Sequence, residues 1–281
     1  MRRSINRFHR NEKDMEWKFY LSRLEEFPTS YKNFYSNQNQ SYFAIFYFLE
    51  GTGTHWIDFQ AHSIEPNSLF FLNPKQVHSW KFESPVKGYV LKIYPEDLLK
   101  QGTTISLLEN FRFFQNINRI AKIRIENAFQ IKFDFERILR EREAVVDKKM
   151  LYLLVQLLLY QILIEYNENY SNVYQFSSFS SQIIYLIDKN YQKEKTIGFY
   201  SRKLKLTKDQ VETFCMKYFG KNLESILFDR TILQIKRLLV HSDMNPMEIA
   251  LYTGFEDISA FRTFFKLYTK TSIDEFKITK R

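Results

Sequence analysis

Ser259 is three residues before Arg262 and four before Thr263, and Lys266 is four after Arg262 and three after Thr263, so on a helix all four share one face. Two cations and two hydroxyls in one row suit duplex DNA. Arg and Lys donate to guanine edges, hydroxyls donate or accept, and both cations neutralise phosphate. The opposite side of the same helix carries Ile258, Phe261, Phe264, Phe265 and Tyr268, which seat it on a core. The residues in front supply the rest of a helix-turn-helix. Pro246 fits a first helical turn, Ala250 is small where two helices cross, Gly254 suits a tight turn, and Asp257 caps the next helix. An ordinary helical hairpin with a solvated polar face is the competing reading.

A second copy stands fifty residues upstream, where Thr213-Phe214 and Tyr218 repeat Thr263-Phe264 and Tyr268. Ser201 takes the small-residue position, and Leu206-Thr207 leads into a helix with Val211, Phe214, Cys215 and Tyr218 on its inner side. Its outward stripe reads Asp209, Glu212, Thr213 and Met216, two anions and a thioether. Phosphate repels the anions, so base readout is expected mainly from the downstream copy. Lys205, Lys208 and Lys217 are the upstream candidates for backbone contacts. Between the copies, Leu223–Val240 reads as one amphipathic helix. At 1.5 Å per residue it is ~27 Å long, a plausible spacer for units addressing groove turns roughly 34 Å apart.

From Ile197 to Lys277 the chain resembles the AraC/XylS-type DNA-binding domain. The matches are Ile249-Ala250, Gly254-Phe255, Asp257, Ser259, Phe261 and Phe264-Phe265-Lys266, with Arg230 and Lys236-Arg237-Leu238-Leu239 in the connecting helix. The resemblance implies a seven-helix domain that bends or spans two adjacent grooves of a promoter. It also implies a sequence-specific transcription regulator, with RNA polymerase a candidate partner. The chain departs from the pattern where the family usually has Arg, at Thr213 and Thr263. It departs again at Lys270 and Ile273, where Gly and Pro are usual, and at Met216, where Lys is common.

Charge agrees with a polyanionic partner. The net charge is +9, and from Ser181 to Arg281 there are 18 Lys/Arg against 12 Asp/Glu, most of the excess. The only cysteine, Cys215, excludes an intrachain disulfide, fits a reducing cytosol and is expected to be buried rather than nucleophilic. Met1-Arg2-Arg3-Ser4 has no apolar run behind it, so no secretory signal is expected. The greasy run Met150–Ile164 contains Gln156 and Gln161 and is too short to span a bilayer. A cytoplasmic protein without membrane partners is expected.

The first half reads as β-structure. Tyr42–Leu49, Thr54–Phe59, Ser68–Leu72, Val77–Phe82 and Gly88–Tyr94 are predicted strands, separated by Gly51-Thr52-Gly53, Glu65-Pro66-Asn67 and Asn73-Pro74-Lys75-Gln76. Helices are predicted from Pro95–Leu99, Ile105–Phe114, Asn127–Glu143 and Lys148–Asn167. The last is apolar around most of its surface and is predicted to help form a homodimer. Asn67–Pro74 followed by His78 resembles the second half of a cupin barrel as found in front of AraC-type domains. The expected fold is therefore α+β. Residues 1–170 form a cupin-like β-barrel with flanking helices for sensing or dimerisation, 171–180 a linker, and 181–281 an all-α DNA-binding domain.

Phe43, Phe46, Trp56, Phe71, His78 and Trp80 are the candidate lining of a small-molecule effector pocket. Filling the barrel is the equal alternative. His55 and His78 each stand alone in their strand motifs, too few ligands for a metal, so no metal and no cofactor is expected. No GxGxxG, P-loop or Ser/His/Asp arrangement points to catalysis. Two further readings stand beside the regulator: a cupin-type metalloenzyme with a basic accessory domain, and a DNA-binding regulator without an effector.

Overall fold

The computed structural model describes residues 19–26, 33–35, 42–74, 76–94, 120–144, 147–170 and 178–280. The helices expected at Pro95–Leu99 and Ile105–Phe114 lie outside the described residues. The chain divides into two compact units, Met1–Gln115 with Arg119–Ser171, and Asn172–Arg281 with Asn116–Asn118.

The front unit has strands β1 (Phe19–Arg23), β2 (Asn33–Tyr35), β3 (Phe43–Glu50), β4 (Gly53–Ile57), β5 (Gln60–Ile64), β6 (Ser68–Leu72), β7 (His78–Phe82), β8 (Lys87–Ile93) and β9 (Lys122–Arg124), then helices α1 (Ala128–Glu143) and α2 (Lys148–Tyr170). They form an antiparallel five-stranded sheet ordered β1-β8-β3-β6-β9 and an antiparallel four-stranded sheet ordered β2-β7-β4-β5. This α+β unit corrects the expected barrel: among the described residues no strand pairing joins the two sheets into a closed ring. Closure requires a continuous hydrogen-bonded register around the axis. Here the sheets meet through side chains instead.

Three layers result. One face of the five-stranded sheet (Ile45, Tyr47, Leu69, Phe71, Tyr89 and Leu91) packs with Ile131, Phe135, Ile138, Leu151, Leu158 and Ile162 of the helices. The other face (Ala44, Phe46, Phe48, Phe70, Leu72 and Val90) packs with Ile57, Ile64 and Trp80 of the second sheet. A sheet covered on both sides explains the run Ala44-Ile45-Phe46-Tyr47-Phe48, buried without interruption and lacking a polar alternation. The Tyr89 ring stacks on Phe135 at 4.9 Å, joining sheet to helix. The pair adds ~1 kcal/mol beyond its buried area. Beside it, Glu136 takes both amino groups of Arg23, at 2.7 and 2.5 Å, and the Tyr89 hydroxyl. Glu165 of α2 accepts from the backbone N–H groups of Glu126 and Asn127, both at 3.3 Å, and so fixes where α1 begins.

The strand expected over Thr54–Phe59 stops at Ile57. Asp58 and Phe59 have φ of 48° and 71° and close the β4–β5 hairpin across the pair Ile57–Gln60. Two positive φ values are those of a type I′ turn, whose twist matches that of the flanking strands. Asp58 is held there by the Val77 N–H and the Gln76 side chain.

Helix α2 is longer than its apolar run. By length and composition, Lys149–Glu168 suffices to cross a bilayer. Its inner side, Leu151, Leu158 and Ile162, is instead buried in the core of the front unit.

The rear unit is all-helical among its described residues: α3 (Ser178–Asn190), α4 (Ile197–Leu204), α5 (Lys208–Phe219), α6 (Leu223–His241), α7 (Pro246–Tyr252), α8 (Ile258–Thr269) and α9 (Ile273–Lys280). Helix α3 begins at Ser178, within the segment read as linker. The upstream core gathers Ile183, Ile187, Tyr200, Val211, Cys215 and Phe219 against Leu223, Ile226 and Leu227 of α6. Downstream, Ile249, Ala250, Phe261 and Phe265 are fully buried. Phe228 of α6 lies 5.4 Å from the Phe264 ring and 5.1 Å from the Tyr268 ring, so the connecting helix also supports α8.

Candidate nucleic-acid interface

Each half of the rear unit is a capped pair of helices. Downstream, Asn245 and Glu248 form a reciprocal capping box at the start of α7, with Pro246 in its first turn. Asp257 caps α8 by accepting from the Ala260 N–H at 2.8 Å. Ile249 and Ala250 are buried, as is the Phe261–Phe265 side of α8. This holds Ser259, Arg262, Thr263 and Lys266 exposed on the other side. All four residues expected to form the outward row are therefore in one row on one exposed face. Lys270 ends α8 with φ 62° and stays exposed. Gly220 ends α5 in the same conformation, with φ 66°. The chain thus has Lys where the left-handed cap favours Gly.

Upstream, Thr207 and Gln210 form the capping box of α5. Lys205, Lys208 and Lys217 are exposed, as are Asp209, Thr213 and Met216. Glu212 differs from the expected stripe. It is half-buried, and its carboxylate accepts from the Leu223 N–H at 3.1 Å. Leu223 opens α6, whose Asn222 cap accepts from Ser225 N–H at 2.9 Å. The first turn of the connecting helix is therefore satisfied partly from α5. Sequence reasoning placed Glu212 beside DNA because an acceptor eleven residues from its donor leaves no local signature.

The backbone hydrogen bonds set the register between the halves. Leu206 N–H bonds to the Ser201 carbonyl at 3.0 Å, and Phe255 N–H to the Ala250 carbonyl at 2.9 Å. Ser201 and Ala250 are thus equivalent, both buried. Lys205, with φ 56°, occupies the place of Gly254, with φ 85°. The caps Thr207 and Asp257 are then one residue out of step, so the downstream turn is one residue longer.

Cys215 is fully buried and burial pushes its thiol up to about 12, so it packs as a hydrophobe.

The candidate pocket residues of the front unit do not converge. Phe46, His78 and Trp80 meet between the sheets, with ring centroids 5.3–5.5 Å apart. Phe71 faces the helices and meets Tyr166 at 5.9 Å, and Phe43 packs on that same cluster. Trp56 alternates with buried His55 and Ile57 and is half-exposed. The period-two geometry of strands divides them: Phe43 and Phe46 lie three apart on β3, hence on opposite faces. His55, absent from that set, joins the interior cluster. Its Nε2 is 3.1 Å from His78 Nδ1, and both rings are buried. Burial holds both imidazoles neutral, His55 well below its usual range and His78 at about 3. Among the described residues no group of three His, Cys, Asp or Glu side chains is arranged to hold a metal.

Two family models match the chain, an AraC-like ligand binding domain over residues 28–131 and a helix-turn-helix domain over residues 200–277. No curated protein matches significantly. Solved structures similar to the chain include ToxT from Vibrio cholerae, with 11% identity and a TM-score of 0.45, covering 92% of this chain and 97% of that one. Unsaturated-fatty-acid-bound ToxT from the same organism has 15% identity and a TM-score of 0.44, covering 92% of this chain and 94% of its own. The C-terminal domain of the two-component response regulator yesN from Fusobacterium nucleatum has 27% identity and a TM-score of 0.35 over 36% of this chain and 99% of its own.

Proposed function

From a chain that joins an AraC-like ligand binding domain to a helix-turn-helix domain, and so belongs to the AraC-type DNA-binding transcription regulators, we propose a reader of two adjacent major-groove segments whose downstream half does most of the base reading. The observation that carries this reading is the exposed row Ser259, Arg262, Thr263 and Lys266 on α8, held outward by its buried Phe261–Phe265 side. Arg262 and Lys266 address guanine edges or phosphate, and the two hydroxyls adapt to either base. The exposed Lys205, Lys208 and Lys217 support a backbone-anchoring role for the upstream half.

The chain acts by binding in the cytoplasm rather than by catalysis. A small-molecule effector is assigned to the front unit on the strength of its AraC-like ligand binding match. A homodimer is assigned to the outer side of α2, where Leu153, Leu157, Tyr160 and Ile164 recur at four- and three-residue steps and are all exposed. RNA polymerase is the further partner expected of a promoter-bound regulator.

Selection from randomised duplexes, followed by competition between the selected site and scrambled DNA, tests the reading. A single enriched site whose affinity falls steeply with salt is expected. Six to ten phosphate contacts cost ~10³–10⁵ in affinity between 50 and 200 mM salt. No enrichment, or a salt-insensitive complex, overturns it. Sedimentation of the full chain and of Leu157→Lys tests the dimer: the parent should dimerise at micromolar concentration and the variant should not.

A further inference from the structure

We propose that the loop Tyr191–Thr196, between α3 and α4, is a clasp that locks the downstream turn and so fixes the relative setting of the two helix-turn-helix halves. The inference rests on the reading that both halves face DNA, and names the residues that set their spacing.

Three contacts carry it. Gly254, in the downstream turn, lies so close to the Gln192 carbonyl that any Cβ there would drive into that oxygen. Lys195 reaches the Gly254 carbonyl, with Nζ 3.4 Å away. The same ammonium sits 4.4 Å over the Phe255 ring, a cation–π contact made half-buried. The loop is anchored at its other end. Arg230, midway along α6, covers the Tyr191 ring at 4.3 Å and pairs with Asp188 of α3 at 2.6 Å. A segment that precedes the upstream helix pair thus grips the turn of the downstream pair, 59 residues later.

Comparison of the halves separates this role from ordinary turn geometry. The equivalent upstream residue is Lys205, which holds φ 56° with a full side chain. A left-handed backbone at this turn therefore does not by itself demand glycine. At Gly254 the added demand is the Gln192 carbonyl. Helix α6 supports both halves, through Leu223, Ile226 and Leu227 upstream and Phe228 downstream, and the clasp adds a direct tie from the upstream half to the downstream turn.

A lock of this kind acts on spacing. One base pair rotates a binding site by roughly 35° about the duplex, so rigid halves accept one separation and loose halves accept several. The experiment measures the lock directly and needs no DNA. Spin labels are placed on the full chain through Asp209→Cys on α5 and Leu267→Cys on α8, both exposed positions, while the buried Cys215 stays unlabelled. The parent should give one narrow distance distribution. Lys195→Ala and Gly254→Asn should broaden or shift it, Asn being a side chain that tolerates positive φ. Lys205→Asn should leave it unchanged. Lys195→Ala removes the contacts to the Gly254 carbonyl and the Phe255 ring without adding a Cβ at the turn, and keeps the test readable if Gly254→Asn fails to fold. A distribution in Lys195→Ala as narrow as the parent's, at the same mean, overturns the clasp. On selected duplexes, inserting one base pair between the two contacted segments should weaken the parent about tenfold and Lys195→Ala less than about threefold, on the scale of a lost base contact. If the distances respond and the spacing preference does not, the clasp stands and the two-segment reading of DNA fails.

Discussion

Replacing Glu212 by Ala should loosen the start of the connecting helix rather than improve DNA binding. Read from the sequence alone, the residue is an anion on the outward stripe, repelled by phosphate, and losing such an anion costs DNA binding nothing. In the fold its carboxylate accepts from the Leu223 N–H at 3.1 Å, from a half-buried position. A side-chain acceptor for a helix-start N–H contributes ~1 kcal/mol. A negative charge at that end of the helix dipole adds ~0.3–1 kcal/mol. The total loss is about 1.5 kcal/mol, or about a tenfold rise in local opening. Glu212→Gln keeps an acceptor and should lose only the charge contribution. Hydrogen exchange on the full chain reads this directly. Peptides covering Leu223–Arg230 should exchange about tenfold faster in the Ala variant and about two- to fivefold faster in the Gln variant. Those of α8 should stay as in the parent. Binding to the selected duplex should weaken modestly in the same order. Parental protection at Leu223 together with tighter DNA binding would refute the reasoning and restore Glu212 to the DNA-facing stripe.

Arg262→Ala should weaken binding to the selected site by ~1–3 kcal/mol and relax base preference at one position, measured by competition against single-base variants; unchanged preference would remove Arg262 from base readout. Lys270→Gly should stabilise the rear unit by ~1 kcal/mol, because the cap holds φ 62° with a side chain. A lowered melting midpoint would show that Lys270 makes a compensating contact. Acid should destabilise the front unit through His55 and His78. Both are held neutral by burial, so the unfolded chain binds more protons once pH falls below about 6.5. Stability is then intact above that pH and declines toward the His78 value of about 3. The slope is on the order of 1 kcal/mol per pH unit for each histidine. Melting of the front unit from pH 7 to pH 5 checks this, and His78→Gln should flatten the dependence.

Much of the rear unit was legible because its signals are local. Pro246, Asp257 and the apolar spacing of Phe261 and Phe265 specify caps and an inner side within one or two turns of helix. With the inner side known, Ser259, Arg262, Thr263 and Lys266 have only the exposed side left. In the front unit β3, β4, β6, β7 and β8 were legible from Gly and Pro punctuation, but β1, β2, β5 and β9 were not, nor was the way each aromatic faces. A sheet buried on both sides carries no polar alternation, so Phe46 and Phe71 look alike in sequence and only strand register assigns them to opposite layers. The meeting of His55 with His78, the hold of Glu212 on Leu223 and the approach of Gln192 to Gly254 all join residues distant in the chain. Sequence spacing bears no trace of such contacts, because they arise only once separate elements pack. The sequence by itself thus determined the caps and the buried sides of α7 and α8, and the tertiary structure decided which of the remaining polar groups stay exposed and which are spent holding the fold.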